Sequence, residues 1–311
     1  MYLAPLNKLG NSSFRTLCLN HGADFVFSEM IKVDELLEGC EVQLKKATIS
    51  IQEQSKTVLQ ILCDDINLIS AGVARLNEIN PNIKEINYNM GCPQSSLCKA
   101  DSGGGIIKNS QKLKDVCEKL FHACNKFEIV PSIKTRIGIT REDINIYDNI
   151  KIIKNSGIKK VYLHGRVLND GYGRSATYEE IGKVILDNPD LEIIGNGDID
   201  DLNSLNNLRQ IGKCSNVLIG RAALENPQIF EELKKGESCD CKSGVQIENK
   251  IELILEYLNL AQKDKLSLSH IKSNLAYLTK STVGGAKVRK DINNVLDVEG
   301  IIKYFQDFKI E

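Results

Sequence analysis

The chain has 311 residues, 42% of them apolar and 26% charged, enough for one large α/β domain of ~250 residues with an appendage, or for two ordinary domains. Forty basic and 41 acidic side chains give a net charge of −1, which argues against indiscriminate binding to nucleic acid. No run of ~18 uncharged apolar residues could span a membrane, and the ten cysteines are scattered too irregularly for a disulfide framework. That scatter, with no basic and apolar leader before Tyr2, predicts a cytoplasmic protein.

Eight short runs rich in β-branched residues follow one another, at 2–5, 24–28, 58–62, 85–88, 129–134, 160–164, 192–195 and 216–219. Amphipathic helical patterns occupy 67–79, 111–127, 145–155, 178–186 and 204–211 between them. Strands alternating with helices form parallel βαβ units with right-handed crossovers. Eight such units within about 230 residues predict a closed (β/α)8 TIM barrel rather than an open sheet. Pro5, Glu29, Gln60, Asn89 with Cys92, Lys134, His164, Asn196 and Gly220-Arg221 then fall at, or just past, the C-terminal ends of the strands. Barrel enzymes place their chemistry at that end. After Phe230 comes a polar stretch with Gly236 and Gly244, then helical spacing from Ile251 onward, with breaks at Gly284-Gly285 and near Gly300. The expected organisation is a catalytic barrel over 1–235, a linker over 236–249 and a small all-α domain over 250–311.

The most informative stretch is Ile86-Asn87-Tyr88-Asn89-Met90-Gly91-Cys92-Pro93, followed by Gly103, Gly104 and Gly105. A thiol on a Gly-Cys-Pro turn at a strand tip, with Asn87 and Asn89 beside it, points to a proton donor or nucleophile rather than a core residue. Lys134 and Arg136 share one face of the fifth strand, because alternate residues point the same way. Two cations near a barrel mouth call for an anionic partner. A flavin, with a phosphate and a ring that becomes anionic on reduction, supplies one. His164 ends the sixth strand on the same rim without a carboxylate or histidine at metal spacing, so no metal is expected. Cys92 with Cys98, and Cys239 with Cys241, likewise lack the further ligands of a zinc site. Gly195-Asn196-Gly197-Asp198 and Gly220-Arg221 follow the last two strands, where barrels hold a phosphate on glycine backbone N–H groups. Lys265, Lys272, Lys280, Lys287, Arg289 and Lys290 occur in one stretch without an Asp or Glu, a basic stripe suited to a phosphate backbone.

Together these segments resemble the tRNA-dihydrouridine synthase family, flavin-dependent reductases of uridine in transfer RNA. Leu3-Ala4-Pro5-Leu6 with Ser13-Phe14-Arg15, Leu59-Gln60-Ile61, Lys134-Thr135-Arg136, His164-Gly165-Arg166, Gly195-Asn196-Gly197-Asp198 and Ile219-Gly220-Arg221-Ala222-Ala223 match the family's motifs in order. Asn87 through Pro93 is its cysteine motif and the most specific match. The tail, with Lys272, Gly284-Gly285-Ala286 and Arg289, is similar to the family's C-terminal RNA-binding bundle. The opening departs from the family pattern, with Leu6-Asn7-Lys8 after the proline in place of Met-Ala-Gly.

The resemblance implies that Pro5, Leu6, Gln60, Lys134, His164, Asn196, Gly197, Asp198, Gly220 and Arg221 hold FMN, with NADPH or NADH as the electron source. Hydride would pass from the reduced flavin to C6 of a flipped-out uracil, and Cys92 would give a proton to C5. Asn89, Arg136 and Arg166 would contact the uridine or its phosphate. Lys272, Lys280, Lys287, Arg289 and Lys290 would face the tRNA, with the protein acting as a monomer. An ordinary thiol, of pKa ~8.5, is largely protonated at neutral pH and can serve as the acid. One alternative is an FMN barrel reductase of a small molecule such as dihydroorotate or an enone, which has no use for a basic helical appendage. A second is a non-catalytic RNA-binding protein that keeps the barrel as a scaffold.

Overall fold

The computed structural model describes residues 1–93, 102–171, 173–237 and 245–308, so Cys98, Cys239 and Cys241 lie outside the described residues. Eight parallel strands close into a barrel: β1 (Tyr2–Leu3), β2 (Phe25–Phe27), β3 (Thr57–Leu62), β4 (Glu85–Met90), β5 (Val130–Gly138), β6 (Lys160–Val167), β7 (Glu192–Asn196) and β8 (Val217–Ile219). β1 lies beside both β2 and β8, and Val26 opposite Thr57 joins β2 to β3 and completes the ring. All eight predicted runs are present, and the fold is the predicted TIM barrel. The five helical patterns appear as Ile69–Ile79 (after a short 3₁₀ turn, Ile66–Leu68), Ser110–Asn125, Ile146–Asn155, Glu179–Asp187 and Leu202–Ile211. Three further helices, Val33–Leu37, Glu41–Ala47 and Ile51–Gln54, fill the connection between β2 and β3. Each is too short to imprint a helical period on the sequence.

Strand alternation decides what each strand turns inward. Tyr2, Ala4, Phe27, Val58, Tyr162, Ile194 and Leu218 form the apolar layer inside the barrel. Their neighbours Leu59, Ile61, Ile86, Ile133, Val161 and Leu163 belong to the larger core shared with the helices. Tyr162 meets Tyr2 and Phe27 edge to face, with ring centroids 5.4 and 4.8 Å apart, a favourable arrangement of ring quadrupoles. Toward the strand starts, Lys160 pairs with Glu85 at 2.9 Å. Toward the strand ends, the same inward faces carry polar side chains.

Those polar residues explain where the strand limits differ from expectation. β4 continues to Met90, β5 to Gly138 and β6 to Val167, with Asn89 opposite Lys134 and Arg136 opposite His164 in the ladder. An inward-facing polar residue reads as a loop in sequence, yet its backbone still pairs on both sides. β1 is shorter than expected. Ala4 N still donates to Ile219 O at 2.8 Å, but Pro5 has no N–H with which to extend the ladder.

The C-terminal unit consists of helices Ile251–Lys263, Leu268–Leu278, Gly285–Asn293 and Val298–Phe308. The expected break at Gly284 is present, with φ of +84° ahead of the third helix. The break placed near Gly300 falls just before it instead. Gly300 N donates to Asp297 Oδ1 at 2.7 Å, so Asp297 starts the last helix as a side-chain cap. Within the stretch read as a linker, Val245–Gln246 pairs with Thr282–Val283 and Ile247 is buried. No described helix is long and apolar enough to cross a membrane.

The tail shares its core with the barrel. Ile254, Tyr257 and Leu258 are fully buried in one cluster with Phe14 and Leu17 of the helix Ser12–Asn20. Asn11 Nδ2 donates to Asn274 Oδ1 at 2.8 Å, and Asn274 Nδ2 to Leu9 O at 3.0 Å. Exposing side chains of this size costs ~1.5–3 kcal/mol each. A chain ended at residue 235 is therefore expected to be insoluble, or to lose its cooperative thermal transition. Soluble yield and circular-dichroism melting would check this, and a soluble, cooperatively melting fragment would show a self-sufficient barrel.

Candidate active site

A cavity of about 360 Å³ opens at the C-terminal ends of the strands. Every residue assigned to the cofactor in the sequence lines it, except Gln60. Its walls come from the ends of β1, β5, β6, β7 and β8, and from the short helix Arg221–Glu225. Two glycines shape one end, Gly197 by allowing close packing and Gly220 by leaving room. Gly197 has φ of +128°, and a Cβ there would sit 2.7 Å from Ala176 Cβ. At Gly220 a Cβ would meet only Ala4, at 3.7 Å, so the missing side chain leaves room beside the backbone.

Asp198 organises that end. Its carboxylate accepts from Arg166 Nη2 at 2.5 and 2.6 Å, from Arg221 Nη2 at 2.9 Å and from Ala176 N at 2.8 Å. Burial alone would raise its pKa, but the bonds from Arg166 and Ala176 outweigh burial and hold Asp198 below the usual carboxylate range. Asp198 itself takes φ of +46°, a conformation that this set of bonds supports.

His164 and Lys134 line the deeper part. Burial, followed by the charges of Lys134, Arg136, Arg166 and Arg221, pushes His164 well below the ordinary histidine pKa. The ring is therefore neutral. Arg166 Nη1 lies 3.1 Å from His164 Nε2, and a guanidinium only donates, so Nε2 accepts and Nδ1 carries the proton. Burial also pushes Lys134 down to about 7, the nearby Arg136 adds to this, and Cys92 partly offsets it. An amine with depressed basicity in a cationic surround favours an anionic ligand, which would restore its proton.

The Cys92 turn stands on the same rim. Gly91 N and Cys92 N both donate to Asn89 Oδ1 at 3.1 Å. Asn89 Nδ2 donates to Gln60 Oε1, Gln60 Nε2 to Asn87 Oδ1 and Asn87 Nδ2 to Ser132 Oγ, each at 2.9 Å. Ser132 Oγ then donates to Glu85 Oε1 at 2.6 Å. A directional chain of amides thus descends the barrel interior to the Glu85–Lys160 pair and fixes which way Asn89 faces. Close packing holds the turn from the other side: Gly104 N donates to Cys92 O at 3.2 Å, and a Cβ on Gly104 would lie 2.5 Å from that oxygen. Asn89→Ala strands two N–H groups and ends the chain, so it should cost ~1–3 kcal/mol and reduce activity through a misplaced Cys92. Thermal unfolding and turnover measured together check this, and wild-type values for both would remove Asn89 from the turn.

The structure separates other residues that the sequence grouped. Gln60 is consumed by Asn87 and Asn89 and lies behind the turn, outside the cavity wall. Arg136 is buried, and its guanidinium donates to Gly91 O at 2.9 Å, Val167 O at 2.9 Å and Gly171 O at 3.2 Å. It thereby ties the Cys92 turn to the segment after β6. Arg166 lines the cofactor cavity beside Asp198. In the basic stripe, Lys272 donates to Asn293 O and Val295 O at 2.9 and 2.8 Å, and Arg289 to Thr279 O at 2.6 Å. Lys287 and Lys290 are exposed. Lys280 lines the cavity, paired with Glu225 at 2.7 Å. Glu225 and Asp200, two acids of the wall, carry no motif that would mark them in the sequence. Among the described residues, no group of three or more His, Cys, Asp or Glu is placed to hold a metal ion.

The sequence profile of a family described as dihydrouridine synthase matches residues 2–309. A probable tRNA-dihydrouridine synthase of Aquifex aeolicus is 23% identical, over 99% of this chain and 95% of its own. The tRNA-dihydrouridine synthase B of Pseudomonas syringae pv. tomato is 26% identical, over 99% of this chain and 90% of its own. Among solved structures, histamine dehydrogenase from Rhizobium sp. 4-9 superposes with a TM-score of 0.53 at 11% identity, covering 84% of this chain and 48% of that one. That likeness concerns the fold alone.

Proposed function

The chain belongs to the dihydrouridine synthase family, and from that premise we propose that it reduces uridine in transfer RNA to 5,6-dihydrouridine. The observation that carries this reading is the pairing, on one barrel rim, of the Cys92 turn with a cavity walled by Lys134, Arg166 and Arg221. The cofactor is a flavin, which we assign as FMN, with NADPH or NADH as the source of electrons. Arg166, Arg221, Gly197 and Gly220 would hold its phosphate, and Lys134 with neutral His164 would border its ring. The fit rests on an amine depressed to about 7 without a carboxylate among its influences, and on the glycine-walled space at Gly220. When bound, the flavin supplies a hydride to C6 of the uracil.

The remaining work falls to this chain's own side chains. The Cys92 thiol gives its proton to C5, where enolate-like charge from the C4 carbonyl is resolved. Asn89 and Arg136 fix the turn that presents the thiol, through the Cys92 N–H and the Gly91 carbonyl. A uridine must leave its stack to reach this depth, at a cost of a few kcal/mol. Cations of the tail, Lys287 and Lys290 among them, offset that cost on the RNA backbone. Residues 1–235 would carry the chemistry and residues 250–311 the RNA contacts. One chain supplies all the parts, so a monomer would suffice, and a tRNA substrate would place it in the cytoplasm.

The test is nucleoside mass spectrometry of tRNA, mapped by position, from cells with and without the protein. Loss of dihydrouridine at one or more positions is expected. An unchanged map, together with a purified protein inactive on unmodified tRNA, would overturn the reading.

A further inference from the structure

Three side chains of the C-terminal unit converge on one residue of the barrel. Glu225 closes the helix Arg221–Glu225, which starts at the Gly220-Arg221 turn. Its Oε1 accepts from Lys280 Nζ at 2.7 Å and its Oε2 from Ser281 Oγ at 3.1 Å. Its backbone carbonyl accepts from Lys250 Nζ at 2.7 Å, and the same amine reaches Leu278 O at 3.2 Å. The segment that walls the glycine end of the cavity is therefore clamped from the tail.

Lys280 belongs to that wall, although 56% of its side chain is exposed. A pair this exposed contributes little to stability, so stability alone does not account for its placement. Charge does. At this end of the cavity Arg166, Arg221 and Lys280 face Asp198, Asp200 and Glu225. With Lys134 the wall holds four cations against three carboxylates, so Lys280 supplies its excess of positive charge. Glu225 engages one of the three ammonium protons, and two remain for other acceptors.

We propose that Lys280 is a phosphate-binding residue of the cofactor site, so that the helical tail completes the flavin pocket as well as meeting RNA. The proposal rests on the flavin reading above. It gives the tail a direct hold on the cofactor: Lys280 contacts the terminal phosphate monoester, and Glu225 fixes the lysine at the lip.

The test titrates FMN and riboflavin separately into the flavin-free full-length protein, comparing wild type with Lys280→Ala and Lys280→Arg by flavin fluorescence. Lys280→Ala should weaken FMN roughly tenfold or more, as expected for a lost charge-assisted hydrogen bond. Riboflavin, which lacks the phosphate, should bind both proteins alike, and Lys280→Arg should recover most of the FMN affinity. Circular dichroism confirms that the variants are folded. FMN affinity within twofold of wild type, or equal losses for both ligands, would overturn the proposal alone and leave Lys280 to the RNA. A wild-type protein that binds neither flavin would overturn the flavin reading and this proposal with it.

Discussion

Cys92→Ala is expected to keep its flavin and its affinity for tRNA while dihydrouridine formation falls by ~10²–10⁴-fold, the usual loss when a positioned acid is removed. The specificity of the effect follows from how the turn is held. Asn89 Oδ1 takes the N–H groups of Gly91 and Cys92, and Arg136 takes the Gly91 carbonyl. None of these bonds uses the sulfur, so all three survive its deletion. The Cys92 side chain is not part of the cavity wall either, so the cofactor should remain bound. Single-turnover assays on tRNA, with flavin absorbance and a tRNA binding curve, separate the possibilities. Unchanged product formation would sink the proton-donor role, and loss of flavin would make Cys92 a structural residue of the pocket.

Lys134→Met is expected to do two opposite things: stabilise the flavin-free protein and weaken flavin binding. Burial pushes the folded amine down to about 7, against 10.5 for an ordinary lysine. Below about pH 7 the folded and unfolded chains both carry the charge, and the folded state bears the full cost of holding it. Between about pH 7 and 10.5 the unfolded chain binds the extra proton, so the stability of the flavin-free protein rises with pH across that window. The penalty near neutrality has an upper limit of ~5 kcal/mol. An isosteric apolar replacement should recover ~1–4 kcal/mol of it, a rise of several degrees in Tm.

Flavin binding runs the other way. An anionic ligand favours the protonated lysine, so wild-type affinity should fall as pH rises above about 7. The variant should bind roughly 10–100-fold more weakly, with most of that pH slope gone. Melting curves of the flavin-free proteins and flavin titrations on both sides of neutrality test both halves. A variant with lowered Tm and wild-type flavin affinity would remove Lys134 from the site.

The sequence made the eight strands and five main helices legible because their signal is local. Period-two and helical alternation survive whatever packs against them, and the Gly-Cys-Pro turn marked Cys92 before any fold was known. Strand ends were less legible where polar residues point into the barrel. Asn89 and Arg166 fall just past the strand ends expected from sequence, yet they lie within β4 and β6.

Nine of the ten cofactor assignments line one cavity, because strand ends in a parallel barrel converge on a single mouth. The exception, Gln60, has its amide engaged by Asn87 and Asn89, partners that only strand register brings together. Arg136, Lys272 and Arg289 carried the same formal charge in the sequence as any RNA-binding cation. Their partners are backbone carbonyls, of Gly91, Asn293 and Thr279 among others, and a carbonyl has no signature in an amino-acid sequence. The lowered basicity of Lys134 and the neutrality of His164 likewise depend on what surrounds them.

By itself, then, the sequence determined the barrel, the thiol and the set of cations at the strand ends, since each follows from residue identity and short-range period. Only the tertiary structure decided which cations face the cavity and which brace the backbone. It also decided that the tail reaches the cavity through Lys280 and Glu225, 55 residues apart. Hydrogen bonding and desolvation act over a few ångströms of space, and chain distance does not encode that separation.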